Sequence, residues 1–246
     1  MSTTLDMEFL ETCRRHFDIF KNEARWNHSN PRLSIARLEA KFNSGFPIAN
    51  KISEELAPYQ IEVNQRQELY ARIDTWARSA RRYLKSSGAT QREIDDANVI
   101  FNALLGQKTK AKPPQNTEGS AGNAAASHEK LQLSYAAKLA NLQAARAFLA
   151  NVTAFTPNEE HLKLTALDAF IAECTAANEA VSAKFVPLND AWNERDEVLY
   201  TNEDSILNDF RLAKEYYKSL YNAKDPQYKA ITAKNMKLTD NSRNSR

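Results

Sequence analysis

Apolar side chains in the second half of the chain recur in alternating steps of four and three: Leu167, Ile171, Cys174, Val181, Phe185, Leu188, Trp192 and Leu199, with Asn178 and Arg195 completing the series. The first half keeps the same spacing through Leu38, Phe42, Gly45, Ala49, Ile52, Leu56, Tyr59, Val63, Arg66 and Tyr70. Residues three and four apart share one face of an α-helix, so each series predicts a long helix whose apolar stripe is buried in coiled-coil-like packing. A helix of about 40 residues would extend roughly 60 Å. Pro58 and Pro187 fall inside these stretches. Each removes a backbone hydrogen bond and crowds the preceding turn. Because the heptad phase survives across both, the pattern predicts continuous, kinked helices, with Gly45 and Pro47 a further weak point in the first.

The two series belong to a longer internal repeat. At an offset of 129 residues, Leu38-Glu39-Ala40 falls on Leu167-Asp168-Ala169, Ser53 on Ser182, Pro58 on Pro187, Asn64 on Asn193, Arg66 on Arg195 and Glu68 on Glu197. After one inserted residue Leu69-Tyr70 meets Leu199-Tyr200, and further on Tyr83-Leu84-Lys85-Ser86 meets Tyr216-Tyr217-Lys218-Ser219.

Helix-start signals place the remaining elements. Thr156-Pro157-Asn158-Glu159 and Thr90-Gln91-Arg92-Glu93 read as capping boxes, with Asn30-Pro31 and Asp225-Pro226 as their counterparts. A first helix is marked by Phe9, Cys13, Phe17 and Phe20, or by Tyr135, Leu139, Leu142, Leu149 and Val152; a third by Ile73, Trp76, Ala80 and Tyr83, or by Ile206, Phe210, Ala213, Tyr217 and Leu220. The expected fold is all-α: an elongated helical bundle of two tandem copies of a helix, long helix, helix, short helix unit, packed about a pseudo-twofold. Residues 1–106 form the first repeat, 107–128 a Lys-, Pro- and Gly-containing linker, 129–235 the second repeat and 236–246 a polar tail.

Composition agrees with an all-helical chain. Five glycines and eight prolines in 246 residues are too few for a turn-rich β fold. A net charge of +2 gives no electrostatic reason to expect a nucleic-acid partner. The sequence has no apolar run long enough to span a bilayer, and its start lacks the basic and apolar regions of a secretory signal, so the expectation is a cytoplasmic protein without a membrane partner. Cys13 and Cys174 then read as small buried hydrophobes in a reducing compartment.

Candidate chemistry is sparse. Arg66 and Arg195 occupy equivalent places on the apolar stripe, close to Asn64, Glu68, Asn193 and Glu197. A buried arginine needs an acidic partner. This polar seam therefore reads as a set of register-fixing ion pairs or, alternatively, as an anion-binding groove. Four histidines, none in a Glu-x-x-His pattern, give no di-iron or zinc site, and no metal or cofactor is expected. No Gly-rich phosphate loop and no Gly-x-Ser-x-Gly elbow is present, so no catalytic residue is assigned. Arg72, Arg78, Arg81, Arg82 and Lys85 form a basic run, read as a solvated face or as a surface for phosphate or an acidic partner. Trp26, Trp76 and Trp192 read as packing residues.

At Phe155-Thr-Pro-Asn-Glu159, Asn193-x-Arg195, Leu199-Tyr200 and Tyr217-Lys-Ser219 through Asn222-Ala223, the second half resembles a family of two-repeat helical proteins of Bacteroidetes-type bacteria. The resemblance implies an all-helical fold and brings no assigned activity with it. The functional expectation is a non-enzymatic structural or protein-interaction protein that self-assembles into oligomers or filaments, its linker and tail bridging neighbours. The alternative is a binding or regulatory module taking a small anionic ligand or an acidic partner in an inter-helix groove.

Overall fold

A computed structural model describes residues 2–107, 134–233 and 236–242. All but the first residue of the expected linker, and the last four of the tail, lie outside the described residues. Every regular element among those described is helical: α1 (Ser2–Lys21), a 3-10 turn at Pro31–Leu33, α2 (Ile35–Ser86), α3 (Gln91–Leu104), α4 (Tyr135–Leu149), a 3-10 turn at Glu160–Leu162, α5 (Leu164–Arg195), a π-helical turn at Asp196–Thr201, α6 (Ile206–Ser219) and α7 (Pro226–Thr232). No described helix is long and apolar enough to cross a membrane.

The long helices run through their prolines. α2 is 52 residues long and contains Pro47 and Pro58; α5 contains Pro187. An interior proline costs about 3 kcal/mol. One fully buried Leu or Phe contributes about 1.5–3 kcal/mol, so the flanking stripe offsets it. Leu38, Phe42, Ala49, Ile52 and Tyr70 are buried on α2, as are Leu167, Cys174, Val181 and Leu188 on α5. Phe185 departs from the stripe, at 43% exposed.

Two expectations need correction. The separate third helix anticipated over Ile73–Tyr83 is the C-terminal part of α2, whereas its counterpart α6 is a separate element. The chain lengths explain the difference. Ile73 follows Tyr70 by three residues, but Ile206 follows Tyr200 by six, and the additional residues leave the helix around Asn202–Asp204. There Asp204 N donates to Asn202 Oδ1 at 3.2 Å, and Ser205 caps α6 by accepting from Asn208 N. The single residue inserted between Glu197 and Leu199 coincides with the π turn, whose wider hydrogen-bonded ring takes one residue more than an α turn. The second correction concerns Thr156, which starts no helix: a 3-10 turn intervenes and α5 begins at Leu164. The Thr90 capping box is present as expected, with Glu93 Oε2 accepting from Thr90 N at 2.7 Å.

The chain forms two compact units, Met1–Gln60 with Ala183–Arg246, and Ile61–Ser182. Each takes helices from both halves of the sequence. In the first unit, α1 packs Leu10, Cys13 and Phe20 with Leu38 and Phe42 of α2 and Ile206, Phe210 and Tyr217 of α6. Phe20 lies 4.8 Å from Trp26 and 5.8 Å from Tyr217, centroid to centroid. Trp26 meets Tyr216 edge-on at 4.9 Å, and its Nε1 donates to Leu33 O at 2.9 Å. In the second unit, Leu142, Ala145 and Leu149 of α4 and Phe101 and Leu104 of α3 cover Ile73, Ala77, Ala80 and Leu84 of α2 together with Leu167 and Cys174 of α5. Phe155 meets Tyr83 edge-on at 5.3 Å.

Candidate functional site

The residues of the polar seam divide between the two units: Asn64, Arg66 and Glu68 belong to Ile61–Ser182, and Asn193, Arg195 and Glu197 to the other. Asn64, Glu68, Asn193 and Glu197 are exposed on their helices. Arg195 is 0% exposed and is held inside the first unit: Nη1 donates to Asp6 Oδ2 at 3.2 Å, and Nη2 lies 2.6 Å from Asp196 Oδ1. The Tyr200 hydroxyl donates to the other Asp6 oxygen at 2.7 Å. Burial first, and then the Asp6 carboxylate, push the Tyr200 phenol far above its usual range, so it remains a donor. The group is buried and internally bonded, which makes it a structural lock. Arg66, in the second unit, is half-buried, with its guanidinium 4.0 Å over the Tyr135 ring.

A second ionic group in the first unit joins the 3-10 turn and the start of α2 to the start of α6. Arg32 donates from Nε and Nη2 to Asp209 Oδ1 at 2.8 and 2.5 Å, Arg37 Nη2 lies 2.6 Å from Asp204 Oδ1, and Lys41 Nζ lies 3.1 Å from Asp204 Oδ2. The hydrogen bond from Lys41 holds the Asp204 carboxyl below the usual carboxylate range, and that to Asp209 raises Arg32. Cations and acids here satisfy one another.

The arrangement best suited to hold a ligand is in the unit Ile61–Ser182. A cavity of about 350 Å³ opens between the C-terminal part of α2 and the segment from the 3-10 turn into α5. Its floor is apolar: Trp76, Leu167 and Phe170 are buried. Its mouth is polar: Arg72, Thr75 and His161 are exposed and Ser79 is half-buried. Arg72 lies 4.9 Å over the Phe170 ring and 3.3 Å from Glu173 on the surface. Among the described residues Trp76 Nε1 has no hydrogen-bond partner, in contrast to Trp26. A buried donor without a partner costs about 1–3 kcal/mol.

Of the basic run, Arg72 lines this cavity, Arg81 donates to Asn102 Oδ1 at 2.7 Å, and Arg78, Arg82 and Lys85 are exposed. The cavity was not read from the sequence. Its signal lay in Arg72, Trp76 and His161, which were assigned separately to a basic face, to packing and to a failed metal pattern. Only the juxtaposition of α2 with the Glu160–Leu162 turn joins them.

The nucleophile inventory offers little. Cys13 and Cys174 are free and buried; burial pushes the Cys174 thiol up to about 11 and holds Cys13 well above its usual value, so neither supplies a thiolate at neutral pH. Among the described residues no group of three His, Cys, Asp or Glu side chains is arranged to hold a metal ion. Comparisons with protein-family models, with curated proteins and with solved structures find no match to this chain.

Proposed function

We propose that this chain is a non-catalytic binding module whose small organic ligand sits in the cavity floored by Trp76, Leu167 and Phe170, built on a scaffold that arose by duplication of one helical unit. The carrying observation is where that cavity falls in the repeat. Shifted by 129 residues, the turn Pro31–Leu33 becomes Glu160–Leu162 and the start of α2 becomes the start of α5. Asp6 becomes Tyr135, so the Arg195–Asp6 contact has its counterpart in Arg66 over Tyr135. Trp26 becomes Phe155, and with the larger shift that takes Ile73 onto Ile206, the Trp26–Tyr216 pair answers to Phe155–Tyr83.

The same shifts carry Arg32, Arg37, Lys41 and Asp209 onto His161, Ala166, Phe170 and Trp76. All four of the latter line the cavity. Where one unit is closed by ion pairs, the other has lost the charges and holds a recess at the lower end of the size range of small-molecule sites. These four differences, which put an apolar-floored recess where the other unit has ion pairs, favour a binding role there.

A fragment screen on the full chain by proton–nitrogen NMR tests this reading. The Trp76 indole N–H, assigned by its loss in Trp76→Phe, is expected to shift with bound fragments. A screen that moves no signal from Trp76, His161 or Phe170 would refute it. A second reading, self-association through a lateral helix face, is favoured by Phe185 and Val186, 43% and 58% exposed side by side on α5. Sedimentation of the protein against Val186→Glu checks it: an unchanged monomer for both would rule it out.

A further inference from the structure

From the donors at its mouth we infer that the cavity selects a monocarboxylate carrying a compact apolar body, with Arg72 as the residue that distinguishes the acid from neutral analogues; this rests on the binding role proposed above. The lining supplies a guanidinium at Arg72, hydroxyls at Thr75 and Ser79 and an imidazole at His161, and it contains no Asp or Glu. Donors gathered without an acceptor acid are complementary to an anion, and a guanidinium binds a carboxylate through two parallel hydrogen bonds. The apolar floor of Trp76, Leu167 and Phe170 fits a ring or branched chain rather than a second charged group.

The other unit shows what has been removed. There a carboxylate of the protein, Asp209, accepts two hydrogen bonds from Arg32, which also donates to Glu203 O. In the cavity the position corresponding to Asp209 is Trp76, an apolar body. A ligand carboxylate would supply the acceptor that this unit lacks. The nearest competitor is Glu173, which pairs with Arg72 at 3.3 Å from outside the lining. Both side chains of that pair are more than half exposed, and such a contact is weak enough for a better-placed carboxylate to displace.

The test compares three probes of one shape on the full chain: 3-phenylpropanoate, its neutral amide and the corresponding amine. Binding is followed by the Trp76 indole signal and by calorimetry. The acid is expected to bind at least about tenfold tighter than the amide, the amount that one charge-assisted hydrogen bond supplies, and the amine not at all. Arg72→Gln should abolish the preference between acid and amide. Glu173→Gln should strengthen acid binding, because it frees Arg72. Both side chains are exposed, so neither change threatens the fold. Equal binding of acid and amide, a preference for the amine, or a preference that survives Arg72→Gln would overturn the monocarboxylate assignment and leave the cavity's binding role standing. Failure of all three probes together with a blank fragment screen would overturn the binding role itself.

Discussion

Arg66 and Arg195 lie 129 residues apart in similar sequence surroundings, yet their replacement by methionine should have very different consequences. Arg195→Met takes the cation from between two carboxylates: Asp6, 0% exposed, and Asp196, also buried. Breaking a buried pair by removing one partner costs about 3–5 kcal/mol, because the remaining charges keep their desolvation penalty and now repel one another. Arg66→Met removes a half-exposed guanidinium from over the Tyr135 ring, an interaction of about 0.5–1 kcal/mol, and methionine retains part of the packing. For a chain of this size each kcal/mol moves the melting temperature by roughly 2–4 °C. Melting followed by circular dichroism should therefore show a loss of roughly 10 °C for Arg195→Met and about 2 °C for Arg66→Met. Asp6→Asn added to Arg195→Met should recover part of the loss, since it removes one of the two stranded charges. Equal losses for the two arginine variants, or a further loss on adding Asp6→Asn, would show that the ionic group does not hold the first unit as described.

Three further outcomes follow from named contacts. His16 is buried, and burial, with Lys214 adding to it against the opposing pull of the Met236 backbone, lowers its pKa from 6.5 to about 4. A depressed histidine contributes stability that is complete above pH 6.5 and is lost as pH falls toward 4, by about 3 kcal/mol at the lower end; urea titrations of the protein and of His16→Leu should diverge over that window, and parallel curves would exclude the effect. Gly45→Ala would put a Cβ 2.4 Å from Leu10 Cδ2 and 3.0 Å from Ile206 Cδ1, so it should destabilise by about 1–3 kcal/mol in denaturant despite alanine's better helix propensity; a gain in stability would contradict that packing. Thr90→Ala removes the hydroxyl that accepts from Glu93 N and should cost about 1 kcal/mol by the same assay, with hydrogen exchange quickening first in the opening turn of α3; unchanged exchange there would count against the cap.

Periodicity made the long helices legible because burial acts on every third or fourth side chain and leaves a trace along the whole stripe. The stripe crosses Pro58 and Pro187 without changing phase, and α2 and α5 do the same. Helix ends were less legible. Thr156-Pro157-Asn158-Glu159 carries the composition of a capping box, but a local signal of about 1 kcal/mol competes with packing: Val152, Phe155 and Leu162 are all buried, and their burial holds this stretch in turns until Leu164. The equivalent local signal at Thr90 meets no such competition and forms as expected.

The site escaped the sequence reading for a different reason. A repeat draws attention to positions that stay the same, and Asn64, Arg66, Glu68 and their partners were chosen on that ground. Identity there does not mean one role: Arg195 is locked between Asp6 and Asp196, whereas Arg66 lies half-buried over the Tyr135 ring. The binding role proposed above points instead to positions where the two stretches differ while their surroundings hold. Leu38 and Leu167 remain buried leucines in both, while beside them Arg37 becomes Ala166 and Lys41 becomes Phe170. Across the cavity Asp209 answers to Trp76. With cations and their acid exchanged for apolar side chains and a histidine, the lining that results has donors but no carboxylate of its own, which is the chemistry the proposed binding role requires.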